Sequence, residues 1–209
     1  MSSLNILTPL NSIAAKLKSA LAEKVKNEEL IEFRARIAGL KVKQFLMDRF
    51  INSETYRSLT SGELKGEFGL TNREAAKIPD ILDDIIHVYV APNKTKANGI
   101  FTITIGIGSP AEIDYNKHGV FITEKGEAIH WLWWLLTQGT QPLVSGYSFF
   151  LKQGIGRSEI GIMVASDGFD YYVDNYFAGV EGDNWISRTI REYKVEIQKI
   201  LKESLNHAS

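Results

Sequence analysis

The sequence predicts an α+β fold: N-terminal helices packed with a mostly antiparallel β-sheet, closed by a C-terminal helix. Three observations predict it. Apolar residues recur every three or four positions through the first 87 residues, the period drops to two from Val88, and a helical stripe returns near the C-terminus. No Pro- or Ser-rich linker divides these regions. Residues 1–209 therefore read as one domain, mainly helical over 1–87 and mainly sheet plus a final helix over 88–209.

The elements follow in order. Leu10, Ile13, Leu17, Leu21 and Val25 form one apolar stripe, predicting a first helix. After KNEE, a second is expected over about 28–51, with Leu30, Phe33, Ile37, Leu40, Met47 and Ile51 on its stripe. Phe45, Leu46 and Phe50 widen that stripe, and a face this broad packs on more than one neighbour. Ser53 is placed to cap a short helix. Thr71 and Glu74 have capping-box spacing, the hydroxyl taking a first-turn amide while the carboxylate reaches back. Pro79 fits a helix start, with Ile78, Ile81, Leu82, Ile85 and Ile86 facing the core.

The stretch GIFTITIGIG alternates as a half-buried strand does. Residues 127–138 predict a short helix ending at Gly139. PLVSGYSFFL and EIGIMVA then predict a hairpin turning through Gly154 and Gly156, and FDYYVDNYF a further strand or extended loop. Ile186, Ile190, Tyr193, Ile197, Ile200 and Leu201 define the last helix, with Asp183 or Asn184 as its cap. The turn before it is expected to set Trp185 and Ile186 against the sheet.

Composition narrows the function classes. A formal net charge of −1 gives no global reason for nucleic-acid binding or for adhesion to an acidic membrane. Locally the charge is uneven: residues 1–52 carry nine Lys/Arg against five Asp/Glu, and 127–209 carry seven against ten. The absence of cysteine removes disulfides, iron–sulfur clusters, thiolate zinc sites and cysteine nucleophiles. The N-terminus lacks a basic stretch followed by an apolar run, so no secretory signal is expected. The longest apolar run, 131–136, is far short of the roughly 18–20 residues of a membrane span.

No catalytic constellation emerges. Glu127 and His130 have Glu-x-x-His spacing, but a carboxylate-bridged di-metal site needs a second such pair, and none is present. His87, His118, His130 and His207 are scattered. The glycine pairs Gly106/Gly108 and Gly154/Gly156 complete no phosphate or dinucleotide fingerprint. No metal or cofactor is predicted.

Trp131, Trp133 and Trp134 fall within four positions. Successive helical residues stand about 100° apart, so the three cannot share one face. Trp131, Trp134 and Leu135 should form one side, Leu132 and Leu136 another, with Trp133 elsewhere. Such a helix must be covered almost all round. Core, subunit interface and ligand platform all remain open for it.

Three stretches occur in order: SETYRSLTSGELKGEFGL; IHWLWWLLTQGTQPLVSGYSF with the downstream GRSEIGIMV; and YFAGVEGDNWISRTI. Together, over about half the chain, they resemble virion structural proteins of contractile-tailed bacteriophages, of the neck or tail-completion type at the head–tail junction. In that family an EFAG…NWITRA-like segment enters the last helix. Phe177, Ala178, Gly179, Asn184, Trp185, Ile186 and Arg188 fit it, whereas Tyr176 replaces an acidic residue.

The resemblance implies a non-enzymatic virion subunit forming a homo-oligomeric ring around the DNA channel, between connector and tail proteins. DNA would be passing cargo, read without sequence recognition. The candidate interface residues are then Trp131, Trp133, Trp134, Phe45 and Phe50. Residues 165–184 hold Asp167, Asp170, Asp174, Glu181 and Asp183 with no Lys or Arg. They form either a solvated loop region or, since carboxylates repel phosphate, the lining of a passage for DNA. The alternative function is a small-molecule or carbohydrate-binding domain using the tryptophan cluster.

Overall fold

The computed structural model describes residues 10–92, 101–114, 116, 118–122, 126, 128–139 and 141–206. One long helix, α1 (Leu10–Ile51), stands where two were expected. Between the two predicted stripes the chain reads KVKNEEL, with neither Gly nor Pro and mostly good helix formers, so nothing breaks the hydrogen-bond ladder. At 42 residues α1 is about 63 Å long. Its character changes at Ala35. Beyond it Ala35, Ala38, Val42, Leu46 and Phe50 are buried at spacings of three and four, whereas Leu21, Leu30 and Phe33 before it are exposed. The side chains of Leu10, Ile13, Leu17 and Val25 lie outside the described residues.

Four short helices follow: α2 (Glu54–Ser61), α3 (Glu63–Glu67), α4 (Asn72–Ala75) and α5 (Ile78–Ile85). Ser53 caps α2 as expected, its Oγ accepting from the Tyr56 N–H at 3.2 Å. Thr71 and Glu74 form the reciprocal capping box on α4. Pro79 sits in the first turn of α5, whose Ile78, Ile81, Leu82 and Ile85 are all buried. The Ser58 hydroxyl accepts from the Leu64 N–H at 3.0 Å, holding α3 tightly after α2.

The strands are antiparallel, but among the described residues they form three separate two-stranded sheets rather than one. β1 (Ile86–Pro92) pairs with β2 (Phe101–Ile107), from Ile86↔Ile107 to Pro92↔Phe101. Helix α6 (Pro110–Asp114) leads to β3 (Phe121–Ile122), which pairs with β4 (Ala128–Ile129). α7 (Trp131–Thr137) comes next, then the hairpin of β5 (Val144–Leu151) and β6 (Gly161–Tyr171). β6 runs on through the first residues of the expected further strand. The register shifts at Gly146, whose φ of 74° only a glycine adopts readily.

The predicted C-terminal helix is two: α8 (Trp185–Glu192) and α9 (Lys194–Asn206), broken at Tyr193. Asn184 is the cap, in a capping box with Ser187. Trp185 packs on α1 rather than on a sheet, its ring edge-on to Phe50 at 5.9 Å between centroids. One core cluster joins α1, α5, α7 and α8 through Leu46, Phe50, Ile81, Leu135 and Ile186. Helix α1 is the spine that β1, α8 and α9 all touch.

Candidate functional site

Helix α7 begins four residues later than the sequence suggests, because Ala128 and Ile129 pair with β3. It ends at Thr137. Gly139 serves close approach instead of a left-handed helix stop: a Cβ there would stand 2.5 Å from the Gly179 nitrogen. The buried arc is Trp131, Leu132, Leu135 and Leu136, a stripe at one- and four-residue spacing that differs from the expected grouping. Trp131 is 1% exposed, and its indole N–H donates to the His118 carbonyl at 3.2 Å. It is a core residue and cannot meet a partner.

Phe50 is likewise fully buried, enclosed by α1 and Trp185, so it too leaves the set of interface candidates. Phe45 stays partly exposed. Its ring lies edge-on to Tyr193 at 5.8 Å, with the Arg49 guanidinium 4.8 Å from its centroid.

Trp133 and Trp134 are half-buried. They border a cavity of about 570 Å³ between α3, the β3–β4 pair and the β5–β6 hairpin. Phe121, Ile129, Leu143 and Met163 line it with them, and Glu67, His130, Arg157 and Ser158 are its polar members. Arg157 is committed, ion-paired with Glu74 and set 4.3 Å from the Phe121 ring centroid. Glu127, the other half of the Glu-x-x-His pair, lies outside the described residues. No group of three or more His, Asp or Glu side chains among the described residues is placed to hold a metal ion.

The acidic run divides in two. Asp167, Asp170, Asp174 and Glu181 are exposed. Asp183 is exposed as well, but Arg188 and Arg191 both donate to its carboxylate and hold it below the usual carboxylate range. Among the described residues Asp183 is therefore a paired surface charge, unlike the other four. Arg188 also donates to the carbonyls of Tyr176 and Ala178, each at 3.0 Å. Asp183 and Arg188 thus clamp the turn leading into α8.

The segment carrying the resemblance acquires a structural meaning here. A Cβ on Gly179 would lie 2.8 Å from the Leu135 carbonyl oxygen, so only glycine permits the chain to pass this close to α7. Asn184 donates from its side-chain amide to the Leu136 carbonyl at 3.1 Å. Trp185 donates to Ser53 Oγ at 3.0 Å. The phenol of Tyr176 donates to Glu54 at 2.7 Å.

Two apolar surfaces lie uncovered. On α1, Phe33 and Leu40 are 61% and 57% exposed, flanked by Arg36 and Lys41. On the outer face of the hairpin, Phe150 pairs with Ile162 beside Val164, all three exposed. Sequence reasoning placed Phe33 and Leu40 on one stripe but split α1 into two helices, and it missed the hairpin face, whose alternation of Phe150 against Phe149 was its only signal. It also missed Glu67, a carboxylate buried among small and aromatic residues in GELKGEFGL.

No protein family, curated protein or solved structure matches this chain. No helix among the described residues is long and apolar enough to cross a membrane.

Proposed function

We propose that this chain is a non-enzymatic structural subunit of a bacteriophage neck, a head–tail connector or tail-completion protein that closes into a ring around the DNA channel. The sequence resemblance over three ordered stretches supports the family. The observation that carries the reading is the pair of uncovered apolar faces, on α1 and on the outer side of β5–β6. They lie on different elements, and a ring requires a heterologous contact in which one patch meets a different patch of the next copy.

In this reading Phe33, Leu40 and the half-buried Phe45 belong to one side of the contact, and Phe150, Ile162 and Val164 to the other. Trp133 and Trp134 stand beside the hairpin as further contact residues. Asp167, Asp170, Asp174 and Glu181 are the candidates to face the passage, where carboxylates would repel DNA phosphates and keep the cargo sliding. Connector and tail proteins of the virion are the partners above and below.

A cryo-electron microscopy reconstruction of the virion, or of the chain mixed with its neighbouring virion proteins, tests the proposal. A closed ring of this chain at the head–tail junction is the expected result. Absence of the chain from particles defeats it, as would isolated monomers within them.

The cavity beside Trp133 and Trp134 supports one second reading, a small-molecule or carbohydrate site. Trp131 has no part in it. A ligand-dependent change of tryptophan fluorescence at constant molecular mass would favour this reading over the neck.

A further inference from the structure

The β5–β6 hairpin is seated on α3 by two side chains of its inner face. Phe149 presses on Gly66 and Gly161 so closely that a Cβ at either glycine would fall within 2.6 Å of the ring. Tyr171, the last residue of β6, lies beside Phe149 with centroids 6.0 Å apart. Its phenol donates a hydrogen bond to Oε1 of Glu67, the last residue of α3. Glu67 is 6% exposed, and its other oxygen, Oε2, is enclosed without a hydrogen-bond partner among the described residues.

An ionised carboxylate is poorly served in that position. One oxygen has a single donor and the other has none, while Glu63 on the same helix and Asp174 just beyond β6 add negative charge nearby. Among the described residues no cation answers it: Lys65 is turned to Asn72, and Arg157, across the cavity, is paired with Glu74. His130 borders the same cavity. Burying an unpaired neutral hydroxyl costs far less than burying an unpaired charge. Lifting the hairpin away would give Glu67 the water it lacks.

We propose that Glu67 and Tyr171 form a protonation-controlled latch on the β5–β6 hairpin. The neutral carboxyl keeps the hairpin docked on α3. The ionised carboxylate releases it, freeing Phe149 and opening the cavity beside Trp133 and Trp134. The latch is a property of the single chain and stands apart from the neck reading.

Burial raises the Glu67 carboxyl from 4.5 to about 7, against the opposing pull of the Tyr171 hydrogen bond. The sign follows from a folded value above the unfolded one. Docking is fully favoured below the unfolded value, weakens as pH climbs from there to the folded one and levels off above it, so the release window ends around neutrality.

Native-state hydrogen exchange on the full chain between pH 5.5 and 8.5, corrected for intrinsic exchange, tests the latch. The opening equilibrium of the Phe149, Phe150, Ile162 and Met163 amides should rise with pH, by up to about tenfold per unit, as far as the folded-state midpoint of Glu67 and level off above it, while α5 and α8 stay flat. Glu67→Gln should abolish the hairpin's pH response. Tyr171→Phe should keep the response but move its midpoint upward, because the donor that favours the ionised form is gone. A merely structural tyrosine would loosen the hairpin at every pH without moving the midpoint. A pH-independent hairpin in the wild type overturns the latch, as does a response that survives Glu67→Gln. Should Glu67→Gln fail to fold, an unmoved midpoint in Tyr171→Phe overturns it equally.

Discussion

Helices α7 and α8 each start on a tryptophan whose indole N–H donates a hydrogen bond out of its own helix, to His118 and Ser53 respectively. Their starts otherwise differ. At α8, Asn184 and Ser187 close a capping box, and Asn184 also reaches the Leu136 carbonyl. At α7, His130 makes no side-chain cap, and a shell of Trp131, Leu132, Leu135 and Leu136 surrounded by core holds the helix instead. Position is thus fixed by burial in one case and by polar geometry plus burial in the other. The apolar shell must be removed by cavity formation, whereas the capped start can be weakened atom by atom.

The largest expected effect follows from that contrast. Trp131→Ala removes a fully buried ring and should cost about 3–5 kcal/mol, read as a lowered denaturant midpoint. Trp185→Ala should cost less, because the capping box still starts α8 without it. The reverse order in denaturant melts would break the comparison.

Next in size is Asn184→Ala. It deletes a cap worth about 0.5–2 kcal/mol and strands the Leu136 carbonyl, so a total of about 1–3 kcal/mol is expected. Asn184→Asp keeps the acceptor for the Ser187 N–H but loses the amide donor to Leu136. An intermediate loss shows that the residue works on both helices. A loss equal to that of alanine would assign its whole effect to α7.

The tie between Trp185 and Ser53 sharpens the comparison further. Ser53 Oγ also accepts from the Tyr56 N–H and donates to the Phe50 carbonyl at 2.7 Å, so one hydroxyl joins α1, α2 and α8. Ser53→Ala should cost about 1 kcal/mol. Combined with Trp185→Phe, the double-mutant cycle should yield a coupling of about 0.5–1.5 kcal/mol. Strict additivity would mean that the indole hydrogen bond contributes nothing.

How much of this was legible in the sequence depends on the range of each interaction. Ser53, the Thr71–Glu74 box and the Asn184 cap act within three residues, and each was readable as a spacing. Alternation likewise disclosed the strand over Ile103 and Ile105. The sorting of Trp131, Trp133 and Trp134 was not readable, because Phe68 and the hairpin, far along the chain, decide which arc of α7 is covered. Glu67 and Tyr171 are 104 residues apart, and no local pattern joins them. The continuity of α1 was obscured for the opposite reason: two stripes on different faces look like two helices, although no breaker separates them.

The smallest expected effect on stability falls on the one tryptophan of α7 that lies outside both the buried arc and the contact with Phe68. Trp133 is only half-buried at the cavity rim. Trp133→Ala should therefore cost about 1 kcal/mol or less, well below Trp131→Ala, since its neighbours lose surface contact rather than gain a sealed void. Assembly should respond differently. An aromatic side chain on a subunit contact can carry 2 kcal/mol or more of binding energy, roughly a thirtyfold loss of affinity when truncated. The check is a pair of measurements on one variant: a denaturant melt of the isolated chain, and incorporation into the ring that the proposed neck function requires. A near-native melt with failed incorporation places Trp133 on the contact. Normal incorporation with a normal melt removes it from the interface and leaves the cavity as the remaining reason for its position.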